Sequence, residues 1–304
     1  MIIRTGVVIL ALIILIVASG VAWQHGRYLY KRRAVVRDRQ PLLYGSATFH
    51  VVTLLELEPQ GDLFADTGAL LRRLEDEGGG RVVYAGKRAL HGAVSSQIPE
   101  RDWDVVLLTQ YASRDQYGAY AGSGACKDAH ATFASSYSIG MDRPALLNLA
   151  LPAMLLGLRV RDILYSRPPR YPFEPADEEM WRASGRPEAR PRVNELRREH
   201  ELGRNAVVVV NFIRHGDAKQ RAADSGYTAE MVGLMAEQGH GPMHIGPAVT
   251  LEGGAQFDRV ALVFYPGVEY MADMIESRFF GGIIGGKQLG DTQAIITVPL
   301  LGRI

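Results

Sequence analysis

Two stretches decide the fold: Trp103–Tyr111, WDVVLLTQY, and Phe257–Tyr265, FDRVALVFY. Each opens on an aromatic–Asp pair, runs through apolar and β-branched residues, and closes on a tyrosine at the same distance, which is the pattern of a strand leaving a turn. Leu90-His91-Gly92 precedes the first and Leu251-Glu252-Gly253 the second. A pattern that returns in order suggests two copies of one unit.

Working outward from the first stretch, Phe49–Leu57 reads as a strand and Leu63–Glu77 has the apolar spacing of an amphipathic helix. Gly78-Gly79-Gly80 stops that helix, Arg81–Val94 reads as a strand, and a helix is expected from Arg114 to about Tyr137. Around the second stretch, Ala206–Arg214 is a strand and Tyr227–Glu237 a helix stopped by Gly239 and Gly241. Met243–Leu251 is a strand, Val268–Gly282 a helix and Thr292–Leu300 the closing strand. The β-α-β-β-α-β order predicts an antiparallel sheet with both helices on one face. Two such sheets hide their bare faces by meeting, and a tandem chain supplies the second sheet at high effective concentration. The expected fold is therefore α+β: an N-terminal transmembrane helix, then two ferredoxin-like repeats pairing as an intramolecular dimeric α/β barrel. The expected boundaries are 1–26 for the anchor, 27–46 for a basic juxtamembrane segment, 47–143 for repeat 1, 144–165 for an apolar helix, 166–204 for a linker and 205–304 for repeat 2.

The run GGRVVYAGK (Gly79 to Lys87), then LHG, then a strand beginning with an aromatic–Asp pair, resembles the small domains of unknown function in the dimeric α/β-barrel superfamily, distant relatives of the antibiotic-biosynthesis monooxygenases. The resemblance covers about residues 47–140 and 205–301. It implies a barrel with a central cavity, among relatives that include cofactor-independent oxygenases, isomerases and haem-degrading enzymes. Two departures stand out: copy one shows no clear sixth strand after Tyr137, and copy two has Gly241 in place of the arginine of GGR.

Gly6–Trp23, GVVILALIILIVASGVAW, carries no charge and at about 1.5 Å per residue reaches most of the way across a bilayer core. A cleaved signal peptide competes, since Gly20-Val21-Ala22 offers small residues. Arg4 alone flanks the segment before, against Arg27, Lys31, Arg32, Arg33, Arg37 and Arg39 after it, relieved by Asp38. The positive-inside rule then favours a single-pass anchor in the inner (cytoplasmic) membrane with the soluble part facing the cytoplasm. Ala145–Leu158 is uncharged, too short to span and broken by Pro152, so it lies either in the membrane interface or buried over a sheet edge. The expected membrane-contact residues are Trp23, Arg27, Lys31, Arg32, Arg33, Arg159 and Arg161. The Pro- and Arg-rich stretch 166–204 reads as a semi-rigid linker with a short charged helix around Arg192–Leu202.

With a net charge of +1 over 304 residues there is no global field to recruit nucleic acid. The one cysteine, Cys126, has no partner for an internal disulfide. Neither a dinucleotide fingerprint, a nucleophile elbow nor a zinc motif occurs, and Phe279–Lys287 is a helix end and turn rather than a phosphate loop, so no cofactor is expected. Along Val207–His215 the alternation places Val208, Val210 and Phe212 on one face, expected to pack on the helices. Asn211 and His215, on the other face, would point between the sheets, His215 as general base and Asn211 orienting a substrate. Tyr111, Tyr265, His50 and His244 are the other expected cavity-lining residues. His91 is expected on a strand of copy one. His240 and His244 have helical ligand spacing, but Gly239, Gly241 and Pro242 forbid the helix, so no metal is expected. Asp104 and Asp258 recur as turn residues. Two functions fit: a membrane-anchored module binding a small apolar ligand or a membrane-protein partner, or a cofactor-independent monooxygenase or isomerase acting on a small apolar or aromatic compound.

Overall fold

The computed structural model describes residues 2–33, 35, 48–78, 80–186, 193–198, 206–302 and 304. Strands β1 (Phe49–Leu57), β2 (Arg81–Ala93), β3 (Val105–Tyr111) and β4 (Phe133–Asp142) make the first half. β5 (Val207–Ile213), β6 (Gly241–Thr250), β7 (Arg259–Tyr265) and β8 (Gln293–Pro299) make the second. All eight close into one barrel in the order β1-β3-β2-β8-β5-β7-β6-β4. Within each half the first strand lies between the third and the fourth. The fourth strand of each half pairs antiparallel with the second strand of the other, β2 with β8 from Gly86↔Pro299 to Ala93↔Ala294 and β4 with β6 from Ile139↔Thr250 to Met141↔Ala248. Closure leaves no free sheet edge for another chain to extend.

Helices cover the outside. Over the first half lie α2 (Leu63–Glu77), α3 (Arg114–Ala121) and α4 (Gly124–His130). The single helix expected over Arg114–Tyr137 is thus two helices and a strand. Ser123 caps the second of them by accepting from Cys126 N, and the chain beyond it extends as β4, the closing strand that copy one was not expected to show. Over the second half lie α8 (Ala218–Gln238), α9 (Val268–Ile275) and α10 (Arg278–Ile283), the last two separated where Ser277 caps α10. α8 starts nine residues earlier than the expected Tyr227, on a capping box between Asp217 and Gln220. It stops at Gly239, whose φ of 68° suits glycine.

α1 (Ile2–Arg32) is one helix, long and apolar enough to cross a membrane, with its side chains from Val7 to Val17 exposed. Its last turns dock on the barrel. Arg27 Nη2 donates to Glu237 O at 3.1 Å, Lys31 Nζ donates to Gln238 O and the Tyr28 hydroxyl to Pro242 O, so cations meet the negative end of α8. α5 (Leu147–Leu164) packs between α1 and α8, with Leu156 against Gly20, burying Asn148, Leu151 and Leu155 while Ile163 and Leu164 stay exposed. The stretch expected as a linker is in part folded: α6 (Glu178–Ala183) and α7 (Val193–Arg198) bury Trp181, Val193 and Leu196 in the helix layer of the second half. Arg37, Asp38, Arg39, Gly79, Pro187 and Pro191 lie outside the described residues, as does the end of the helix expected around Arg192–Leu202.

The barrel interior is filled. Val52, Leu54, Val106, Leu108, Ile139 and Met141 from the first half meet Val208, Val210, Phe212, Val260, Leu262 and Phe264 from the second in one buried cluster. The expectation that Val208, Val210 and Phe212 face the helices is therefore reversed. Each half must hide its inner sheet face, and the largest apolar side chains go where both sheets bury them.

Candidate functional site

The open space lies outside the barrel, between the sheet and the helices of the second half. A cavity of about 750 Å³ is floored by Val209, Asn211, Ala261, Val263, Tyr265, Ala294 and Ile296 and roofed by Tyr227, Met231, Met235, Met271, Met274 and Phe280. Its volume is in the range of sites for small organic ligands, and paired methionines give an apolar wall that adapts its shape. The floor follows from strand alternation, since the residues between the barrel-filling ones point outward.

Polar groups gather at one end. There β5 finishes, β7 and β8 begin, and α8 starts, bringing Asn211, His215, Asp224, Thr228, Arg259, Lys287, Asp291 and Thr292 to the lining, with Arg186 beside them. The reversed strand face carries Asn211 and His215 into this cavity instead of into the barrel. Asn211 Nδ2 donates to Val209 O at 3.2 Å and Ala261 O at 3.3 Å, so its amide is held against the sheet. The backbone N–H of His215 donates to Asp258 Oδ2 at 2.8 Å, and Thr292 ties to Arg214 from both sides. Asp224 accepts a long hydrogen bond from Thr228 Oγ1 at 3.4 Å. Burial raises the Asp224 carboxyl above its ordinary value, with Lys287 and His215 pulling it down. Burial lowers the Lys287 ammonium, with Asp224 opposing, and its Nζ stands 5.9 Å from the Tyr227 ring centre. Burial raises the phenols of Tyr227 and Tyr265, keeping them neutral donors at ordinary pH. An apolar chamber with an acid, an amine and an imidazole at one end can hold an apolar body and orient or protonate a polar terminus.

Of the other four residues expected to line a cavity between the sheets, Tyr265 lines this outer one instead, and Tyr111, His50 and His244 are packed elsewhere. Tyr111, the counterpart of Tyr265, is buried among Tyr117, Tyr120 and the helices of the first half. His50 and His244 stand 5.0 Å apart, ring centre to ring centre, fully buried on the inner side of the barrel wall near Arg143, whose Nε donates to His244 Nδ1 at 3.0 Å. An inward strand face crowded with large side chains leaves those histidines no cavity to line. His91 bonds Gln293 at 3.2 Å. His240 Nδ1 lies 3.2 Å from Phe264 O and Nε2 2.8 Å from the Tyr270 hydroxyl, turned away from His244. Among the described residues no group of three or more His, Cys, Asp or Glu side chains converges on a metal position.

Asp104 and Asp258 are structural, and they act alike. Asp104 donates its N–H to Leu55 O and accepts from Leu57 N, and Asp258 donates to Ile213 O and accepts from His215 N. Of the expected membrane-contact residues, Arg32 is corrected: it is buried with its guanidinium 4.2 Å from the Tyr28 ring. Trp23 is exposed, with Arg27 and Arg159 at 5.5 and 5.6 Å from its ring, Arg33 stacks on Tyr30, and Arg161 pairs with Asp162 at 3.1 Å. Asp224, Lys287 and the four methionines were missed. Met231 with Met235 and Met271 with Met274 have one-face spacing on their helices, and that was the available signal.

No family model matches the chain, and no curated protein does. Several solved structures are similar in fold. A Fusobacterium nucleatum subsp. nucleatum protein assigned as a monooxygenase shares 10% identity, over 84% of this chain and 94% of that one, at a TM-score of 0.44. An anthrone oxidase-like protein shares 8%, over 84% and 92%, at 0.41. A chlorite dismutase variant of Candidatus Nitrospira defluvii shares 12%, over 86% and 96%, at 0.44. Their likeness concerns the fold, so the chemistry of this chain rests on its own residues.

Proposed function

We propose that the protein is a membrane-anchored binding module whose ligand is a small apolar or aromatic compound held between the sheet and the helices of the second half. The observation that carries this reading is the cavity of about 750 Å³, apolar through its body and polar at one end. In this reading α1 serves as the anchor, and the excess of basic residues after it favours a cytoplasmic barrel. Trp23 between two guanidinium groups, with Ile163 and Leu164 exposed on α5 beside α1, suits a position at the membrane interface. The two halves are read as tandem copies of one βαββαβ unit, supported by their shared strand order and by the matching bonds of Asp104 and Asp258.

A second reading is catalytic. His215, Asp224 and Lys287 at one end of an apolar chamber favour proton transfer to or from a bound substrate, as cofactor-independent oxygenation or isomerisation would need. In it His215 accepts the proton and Asn211 orients the substrate.

Native mass spectrometry of the full chain extracted from membranes in detergent tests the binding reading. A small apolar molecule should leave with the wild-type chain and be missing from Ala261→Phe, which fills the floor of the cavity. Recovery of the same molecule from both would remove the cavity from consideration. Protease added to sealed inside-out vesicles should digest the barrel; digestion only in right-side-out vesicles would reverse the proposed side.

A further inference from the structure

The polar end of the cavity is asymmetric in charge. Arg186, Arg259 and Lys287 line it, and none of the three forms an ion pair with a described residue. Two carboxylates face them. Asp291 is already engaged, accepting from Ser96 N at 3.0 Å and from Ser96 Oγ at 2.6 Å. Asp224 is left beside Lys287, with Thr228 Oγ1 as its donor. Arg186 spends one N–H on Lys287 O at 3.2 Å and retains the rest of its fork. A positive rim around an apolar chamber selects for a ligand with an apolar body and one negative end.

The placement of the rim adds a second constraint. α8 begins beside His215 and ends at Gln238, whose carbonyl accepts from Lys31 of α1. Its 21 residues span about 30 Å, so the rim lies at the end of the second half remote from the anchor. A ligand entering there comes from water, and it has to be soluble enough to travel through it.

We propose that the cavity takes an apolar carboxylic acid, its hydrocarbon or aryl body between sheet and helices and its carboxylate at the Lys287–Arg259–Arg186 rim. This rests on the binding reading above and names the chemical class of the ligand. The carboxylate accepts from the ammonium, which otherwise has only Asp224 beside it, and from the guanidinium groups, which form no ion pair among the described residues.

The test compares two fluorescent probes of one shape, pyrene-1-butyrate and pyrene-1-butanol. Binding to the full chain in nanodiscs is followed by anisotropy, with empty nanodiscs subtracted. The acid should bind at least about tenfold more tightly than the alcohol, as one charge-assisted hydrogen bond provides. Lys287→Met and Arg259→Gln, each checked for an unchanged melting transition, should reduce acid affinity by about the same factor and leave the alcohol unaffected. Equal binding of acid and alcohol, or acid affinity indifferent to both substitutions, would overturn the acid while leaving an apolar site in place. Binding of neither probe, or binding that survives Ala261→Phe, would remove the site and the acid together.

Discussion

The two halves of the barrel share a strand order and differ in what lies between sheet and helix. In the first half Leu55, Leu107 and Tyr111 press outward against Leu70, Leu71, Leu74 and Tyr120, and the layer is closed. In the second half the matching strand positions are Ile213, Ala261 and Tyr265, and the layer holds the cavity. Leu107 and Ala261 sit at the same place, three residues after the paired aspartates. The isopropyl group missing at the centre of the floor, under a roof of methionines, adds to the space between sheet and helices. A barrel whose interior needs both halves cannot be hollowed in its middle without exposing both sheets. The outer layer of one half can be opened while the other half holds the fold.

That contrast is most directly broken by exchanging the two residues. Leu107→Ala should cost about 2–5 kcal/mol in chemical denaturation, because the packed layer cannot collapse on the space. Ala261→Leu should be neutral or stabilise by up to about 2 kcal/mol, since it fills space already there. Equal losses from both would mean that the second layer is as tightly packed as the first.

Acid sharpens the comparison next. His240 stands where the first half has Gly80, a position at which an added Cβ would meet Tyr111 at 2.7 Å. Burial, with Lys31 nearby, lowers the His240 imidazole to about 3, and burial also holds His244 well below its ordinary value. A neutral imidazole required by the fold contributes stability that is present above the ordinary value of 6.5 and lost as pH falls toward about 3. Stability measured against pH should therefore decline below that ordinary value, and His240→Gln should make the decline shallower. An acid limb identical in wild type and variant would place the sensitivity elsewhere.

The smallest effect separates structure from function within one motif. Asp104→Ala and Asp258→Ala each remove an acceptor for a strand-end N–H and should each cost about 1 kcal/mol in thermal unfolding. Only the second releases His215 from its place at the cavity rim, so only Asp258→Ala should weaken pyrene-1-butyrate binding. Weakening by Asp104→Ala to the same degree would tie the site to the whole barrel rather than to its second half.

Much of the fold was legible. WDVVLLTQY and FDRVALVFY read as strands, and they form β3 and β7, the third strand of each half. β4 was not legible, because PheAlaSerSerTyrSerIleGly (residues 133–140) carries a serine-rich alternation that continues a helical stretch as readily as it starts a strand. The candidate site was half legible. Asn211 and His215 were found by their face, whereas Lys287 and Asp224 reach the rim only through the α10 turn and the first turns of α8.

The sequence by itself determined the order of strands and helices in the second half and the long apolar segment at the start, because these are matters of periodicity and length along the chain. The tertiary structure alone decided which strand face turns inward. Val207-Val208-Val209-Val210 is apolar on both faces, and both faces of β5 are buried, one in the barrel and one under helices. Alternation says which residues share a face, and only the packing of one half against the other says which face the barrel takes.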